Sequence, residues 1–136
     1  MALVYGPGLV LYLYPQELLH FGATCSAAAD EAVTAEHYFL CLSADAREGL
    51  WTPLHPTRGQ DRQPIFEHAK SGHPRFTQGW SYYSPGELWR VPHKAIQRAA
   101  LAAGDKTTDK TANRVALASV PDLSVFTAHA AAPPPG

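Results

Sequence analysis

Arg58, Arg62, Lys70, His73 and Arg75 form the densest grouping of basic side chains in this 136-residue sequence, and Phe76, Trp80, Tyr82, Tyr83 and Trp89 follow within one short span. Bases interleaved with exposed rings suit a single nucleic-acid strand, because phosphates pair with Arg and Lys while nucleobases stack on ring faces. Arg58, Arg62, Lys70, Trp80 and Tyr82 are therefore the candidate binding residues, for single-stranded RNA or another polyanion, or for a protein partner. Rings also fill cores. In an extended strand Trp80 and Tyr82 share one face and Ser81 and Tyr83 the other, so only one set need be exposed.

Other chemistries find less support. His37 and Cys41 suggest a base and a nucleophile, but four residues along a strand separate them by roughly 13 Å, beyond hydrogen-bond reach. Cys41 reads better as a small buried hydrophobe and His37 as a satisfied residue at a strand entrance. His55, His68, His73, His93 and His129 are scattered, and no Cys-x-x-Cys or His-Glu-x-x-His spacing occurs. No metal and no cofactor are expected. There is no phosphate-cradling glycine motif, and Gly79-Trp80-Ser81 is not a nucleophile elbow. Asp61 and Glu67 lie in an irregular connection and read as solvated acids, which leaves glycosidase chemistry unsupported.

Net charge is −1, yet its distribution is uneven: −5 over residues 1–50, +4 over 51–100 and zero over the remainder. Such a split fits a polyanion-binding face, or halves that complement each other within one domain or across a homodimer. The 46% apolar fraction is that of a globular protein, though much of it is alanine, which buries little area. Two cysteines cannot build a disulfide framework, no basic region precedes the first apolar run, and no stretch approaches the roughly 20 apolar residues of a membrane span. The expectation is a cytoplasmic protein with reduced thiols and no membrane contact.

The elements that must position these residues are mainly strands. Leu9 to Tyr14 and His37 to Ser43 are apolar runs of strand length, and Leu50 to Leu54 follows a polar turn at Asp45 to Gly49. Pro53 places that last strand at an edge or beside a bulge. Gln16 to Phe21 either extends the sheet after a bulge or makes a short turn, and Ser26 is a candidate N-cap for a short helix competing with a loop. Residues 55–75 form a long, proline- and glycine-broken connection in which Pro64 can open a brief helix reaching about Lys70. Trp80–Tyr83 and Leu88–Val91 read as arms of a hairpin around Ser84-Pro85-Gly86-Glu87. Pro92 to about Ala103 has the start and stop signals of a helix, with Ile96, Ala99, Ala100 and Ala103 on its apolar face.

The expected fold is mainly β within an α+β class: a small, strongly bent antiparallel sheet or partly open barrel with one C-terminal helix at about 92–103. Residues 1–104 form a single domain. Residues 105–128 are a linker with a terminal strand or strap, where Val115–Val120 and Leu123–Phe126 could pair, and 129–136 form a disordered tail.

In outline, Gly6 to Ala100 resembles the PemK/MazF-type small β-barrels, growth-inhibiting endoribonucleases of bacterial toxin–antitoxin systems. The resemblance rests on the opening Pro7-Gly8-Leu9-Val10 strand, the strand Tyr38-Phe39-Leu40-Cys41-Leu42-Ser43 after a long first loop, and Ser81-Tyr82 leading through Trp89-Arg90-Val91 to a helix. That family usually carries a basic residue and proline before its second strand, where this chain has Glu36 and His37. The resemblance implies metal-independent RNA cleavage, with Arg75 stabilising the cleaving phosphate and His73 moving a proton. The sequence thus supports a small-barrel binding module first. An endoribonuclease is the second reading, and a protein-only adaptor encoded on a mobile element the third.

Overall fold

The computed structural model describes residues 5–27, 32–59, 61–103 and 113–131. Strand β1 (Leu9–Leu13) lies near the middle of its sheet and is buried from both sides. Leu9, Leu11 and Leu13 face one core and Val10 the other, none more than 1% exposed. Burial on both faces is why this strand reads as a continuous apolar run rather than an alternating one. Pro15 ends the strand and opens helix α1 (Pro15–His20), since proline suits a first helical position but not a strand interior. The undecided 16–21 stretch is therefore a short helix.

A two-residue strand β2 (Thr24–Cys25) comes next, then β3 (His37–Ala44) and β4 (Glu48–His55), joined as a hairpin. Both backbone N–H groups of Arg47 and Glu48 donate to Asp45 Oδ1 at 2.8 Å, which closes the turn and holds the Asp45 carboxyl below its usual range. Strands β5 (Gln63–Ile65), β6 (Lys70–Ser71), β7 (Ser81–Tyr83), β8 (Trp89–Pro92) and β9 (Asn113–Val115) complete one open antiparallel sheet. Its order is β2-β8-β4-β3-β1-β9-β6, with β7 also paired to β4 and β5 paired to β7. The mainly antiparallel sheet and a helix over 92–103 are as expected; the sheet is open, not closed. Helix α3 (His93–Ala103) seats Ala95, Ile96, Ala99 and Ala100 on one face of the sheet. Helix α2 (Pro74–Thr77) and helix α4 (Leu123–Ala131) bring Phe76 and Phe126 to the other.

Several local expectations are corrected. The ring-rich ribbon is not a hairpin, because β7 and β8 do not pair with each other. Both pair with β4, end to end: Tyr82 and Tyr83 lie opposite His55 and Leu54, while Trp89 to Pro92 lie opposite Trp51 to Glu48. The Ser84-Pro85-Gly86-Glu87 turn does form, with Glu87 N–H donating to Ser84 O at 3.0 Å. It carries an excursion out of the strand instead of reversing it, and Pro53 sits beside this bulge, as proline in an interior strand requires. Pro64 opens no helix. It lies in edge strand β5 opposite Tyr82, where a missing N–H is tolerated, and only Glu67–Ala69 makes a 3-10 turn.

Ser26 caps no helix among the described residues. Its Oγ accepts from Leu88 N–H at 2.8 Å and donates to Gly86 O at 3.1 Å, so it clamps the excursion. Leu123–Phe126 is helical rather than a strand or strap, because Asp122 Oδ1 caps Ser124 N–H at 2.8 Å and starts α4. That helix continues through residue 131, so the start of the expected tail is helical; residues 132–136 and the 104–112 part of the linker lie outside the described residues.

Candidate functional site

Register places the candidate side chains in rows. His55 and Pro64 are both partners of Tyr82, and residues directly opposite in antiparallel strands project to the same side. Alternation adds Trp80 and Phe66 to that side. Trp80 is 61% and Phe66 52% exposed, so two large rings stand on the outside of the β5–β7 ladder. Each is backed by a second ring. Trp80 stacks on Tyr82 at 6.3 Å between centroids and 24° between planes, and Phe66 on His68 at 5.8 Å and 7°. Between them lies an open depression of ≈ 590 Å³ lined by Phe66, Glu67, His68, Thr77 and Trp80. The other rings of the stretch serve the cores: Trp89 and Phe76 are at most 2% exposed, and Tyr83 packs on Phe126. Core packing and an outward platform are thus divided among the rings.

The predicted bases occupy different settings. Arg58 and Arg75 are exposed. Arg62 is half-buried, and its guanidinium donates to Thr57 O and Oγ1 at 3.0 and 3.1 Å. Lys70 is 8% exposed and donates to Gly79 O and Ser81 Oγ, each at 3.0 Å, with its ammonium 5.1 Å above the Phe76 ring. Burial pushes its pKa down, against the opposing pull of Glu67. Lys70 therefore ties β6, α2 and β7 together beneath the platform. His73 is exposed and N-caps α2: its Nδ1 accepts from Arg75 N–H at 3.1 Å, which leaves the ring proton on Nε2 in the neutral form. Asn113 Oδ1 accepts from His73 N–H at 2.8 Å. Thr77 of the same helix reaches the depression.

A second polar cluster, not anticipated from the sequence, sits at the head of the same face. His37 is the cross-strand neighbour of His55, with centroids 5.2 Å apart at 71°. His37 Nδ1 lies 2.8 Å from Ala35 O, so the neutral ring donates there and presents Nε2 as its base. Glu87, 4% exposed, reaches in from the excursion. Its Oε2 accepts from Trp89 Nε1–H at 2.9 Å and Val33 N–H at 3.1 Å, and Oε1 stands 4.0 Å from His55 Nε2. Thr52 Oγ1 donates to Glu87 O at 2.8 Å. His55 Nε2 is buried and makes no hydrogen bond among the described residues.

Burial first, then the charges of Arg62 and His37, push the His55 imidazole down to about 4. The unfolded chain takes up this proton near pH 6.5, whereas the folded protein resists it until far lower pH. The stability associated with a neutral His55 is therefore complete above pH 6.5 and is lost as pH falls toward 4. Urea denaturation between pH 7 and 4.5 should show the midpoint falling across this window, and His55→Gln should flatten the dependence. An unchanged slope in that variant would show the acid sensitivity to lie elsewhere.

The cysteines offer no nucleophile. Burial pushes the Cys25 thiol up to about 11 and the Cys41 thiol up to about 12. Cys41 Sγ lies 3.5 Å from Ser43 O, so the His37–Cys41 pair has no part in chemistry. Among the described residues, no group of His, Cys, Asp and Glu is placed to hold a metal ion, and no helix is long and apolar enough to cross a membrane. No protein-family model, curated protein or solved structure matches this chain.

Proposed function

We propose that the protein binds single-stranded nucleic acid, RNA in particular, across the outward face of β5 and β7. The observation that carries this reading is the pair of exposed rings, Trp80 and Phe66, each stiffened by a second stacked ring. A soluble fold seldom leaves two large rings uncovered side by side without use, and a row of ring faces accepts successive bases whatever their identity. Arg58 and Arg62 precede β5 in the chain and Arg75 precedes Thr77, so these are the bases nearest in sequence to the face for phosphates to pair with. Titrating a fluorescein-labelled 12-mer RNA containing all four bases against salt tests it. Affinity should fall steeply as salt rises; no binding at 20 mM salt would remove the reading.

A second reading, metal-independent RNA cleavage, draws support from the His37–His55 pair at the head of that face. An imidazole with a free Nε2 is a competent base for a 2′-hydroxyl. Incubating the same RNA in excess chelator separates binding from cleavage. Comparing His37→Ala with His73→Ala and Arg75→Ala then separates the cross-strand pair from the two residues that the family resemblance implicates.

A further inference from the structure

We infer that the depression between the two ring pairs is a guanine-selective base site, a reading that rests on the single-strand proposal above. Three features of the depression point there. Its walls are flat: Phe66 and His68 are parallel within 7°, and Trp80 is held by Tyr82. Its volume of ≈ 590 Å³ has room for one base, with the rest open to solvent. Its lining carries a single acid, Glu67, at the head of the 3-10 turn.

Among the four bases of RNA, guanine alone presents adjacent N–H donors, N1–H and N2–H, that match the paired oxygens of a carboxylate. Adenine and cytosine offer one amino group beside an acceptor nitrogen, which a carboxylate repels. Uracil offers one N–H between two carbonyls. A ring seated against Phe66 or Trp80 would therefore be selected by Glu67 through the edge it turns inward, while the ring faces supply affinity common to all bases. The Thr77 hydroxyl lines the same space and can donate to a guanine acceptor.

Rings beside a carboxylate also describe a cage for a methylated ammonium group. Two observations favour the base. Phe66 and His68 lie parallel to each other and so offer one flat wall rather than rings boxed around a sphere, and Lys70, whose ammonium feels the Glu67 charge from beneath, already supplies a cation at this corner.

Tryptophan fluorescence tests the site directly, because Trp51 and Trp89 are 0% exposed and a quenching ligand reports Trp80. GMP, AMP, CMP and UMP are titrated separately, followed by a trimethyl-lysine peptide. GMP is expected to quench at about tenfold lower concentration than the other three, the size of one well-matched bidentate contact. In Glu67→Gln the advantage should shrink to about twofold or less. Equal quenching by all four nucleotides, an unchanged GMP preference in Glu67→Gln, or quenching by the peptide alone would each overturn the inference. RNA binding without base preference would defeat this inference but leave the proposed function standing; absence of RNA binding would defeat both.

Discussion

Replacing Trp80 and Phe66 together by alanine should weaken binding of a single-stranded RNA by about 30- to 1000-fold, from about 1–2 kcal/mol for each stacking partner lost. Because both rings are more than half exposed, the same double substitution should leave the urea midpoint almost unchanged. The combination is what makes the result informative. A large loss of affinity with intact stability locates binding on the β5–β7 face, whereas a loss of less than about threefold would show that RNA is held elsewhere. Trp80→Phe should recover most of the affinity, since a smaller ring face still stacks.

The second large effect is on stability. Glu87→Ala removes the acceptor of two donors, Val33 N–H and Trp89 Nε1–H, in a region where Glu87 is 4% exposed and Trp89 0%. A buried donor left without a partner costs about 1–3 kcal/mol, so the expected loss is about 2–5 kcal/mol. Glu87→Gln can keep its carbonyl oxygen toward both donors and should lose less than half as much. Urea denaturation measures both. A loss below about 0.5 kcal/mol in Glu87→Ala would mean that neighbouring groups or solvent replace the carboxyl without difficulty. Such a result would reduce the excursion to an ornament on the sheet.

Sequence patterns made the central strands readable because their residues are chosen by burial. The run Leu9 to Leu13 and the run from His37 have no alternative to a sheet interior, and the α3 helix announces itself by Pro92 and its alanine face. The turn at Asp45–Gly49 was legible, but the cross-strand histidines were not. Counting outward from Ala44 opposite Gly49 would set His37 against Pro56, and it is the bulge between Cys41 and Ser43 that shifts the register by one and brings His55 opposite instead.

The ribbon was misread for a physical reason. Pro85-Gly86 satisfies a hairpin turn and a bulging excursion alike, and what decides between them is β4, a partner distant in sequence whose eight residues have room for both segments in line. Glu87 as a buried carboxyl was illegible for the same cause: its donors come from Val33 and from beyond the turn. The α4 helix had a visible cue in Asp122, whose cap was outweighed by the apolar run that follows it. Trp80 and Tyr82 were correctly placed on one face, but their stacking partners and the role of Phe66 emerge only once β5 is laid against β7.

The pairing of β1 with both β3 and β9 bears on how the chain matures. During synthesis, residues 113–115 leave the ribosome about a hundred positions after the strand whose flank they cover. Until then the backbone of Leu9 and Val10 is an unguarded template, open to strands of neighbouring nascent chains. Assembly that must wait for so distant a closing piece is slowed by the entropy of closing that long a loop. Fragments ending before Asn113 should accumulate as insoluble protein, even though they retain most of both cores.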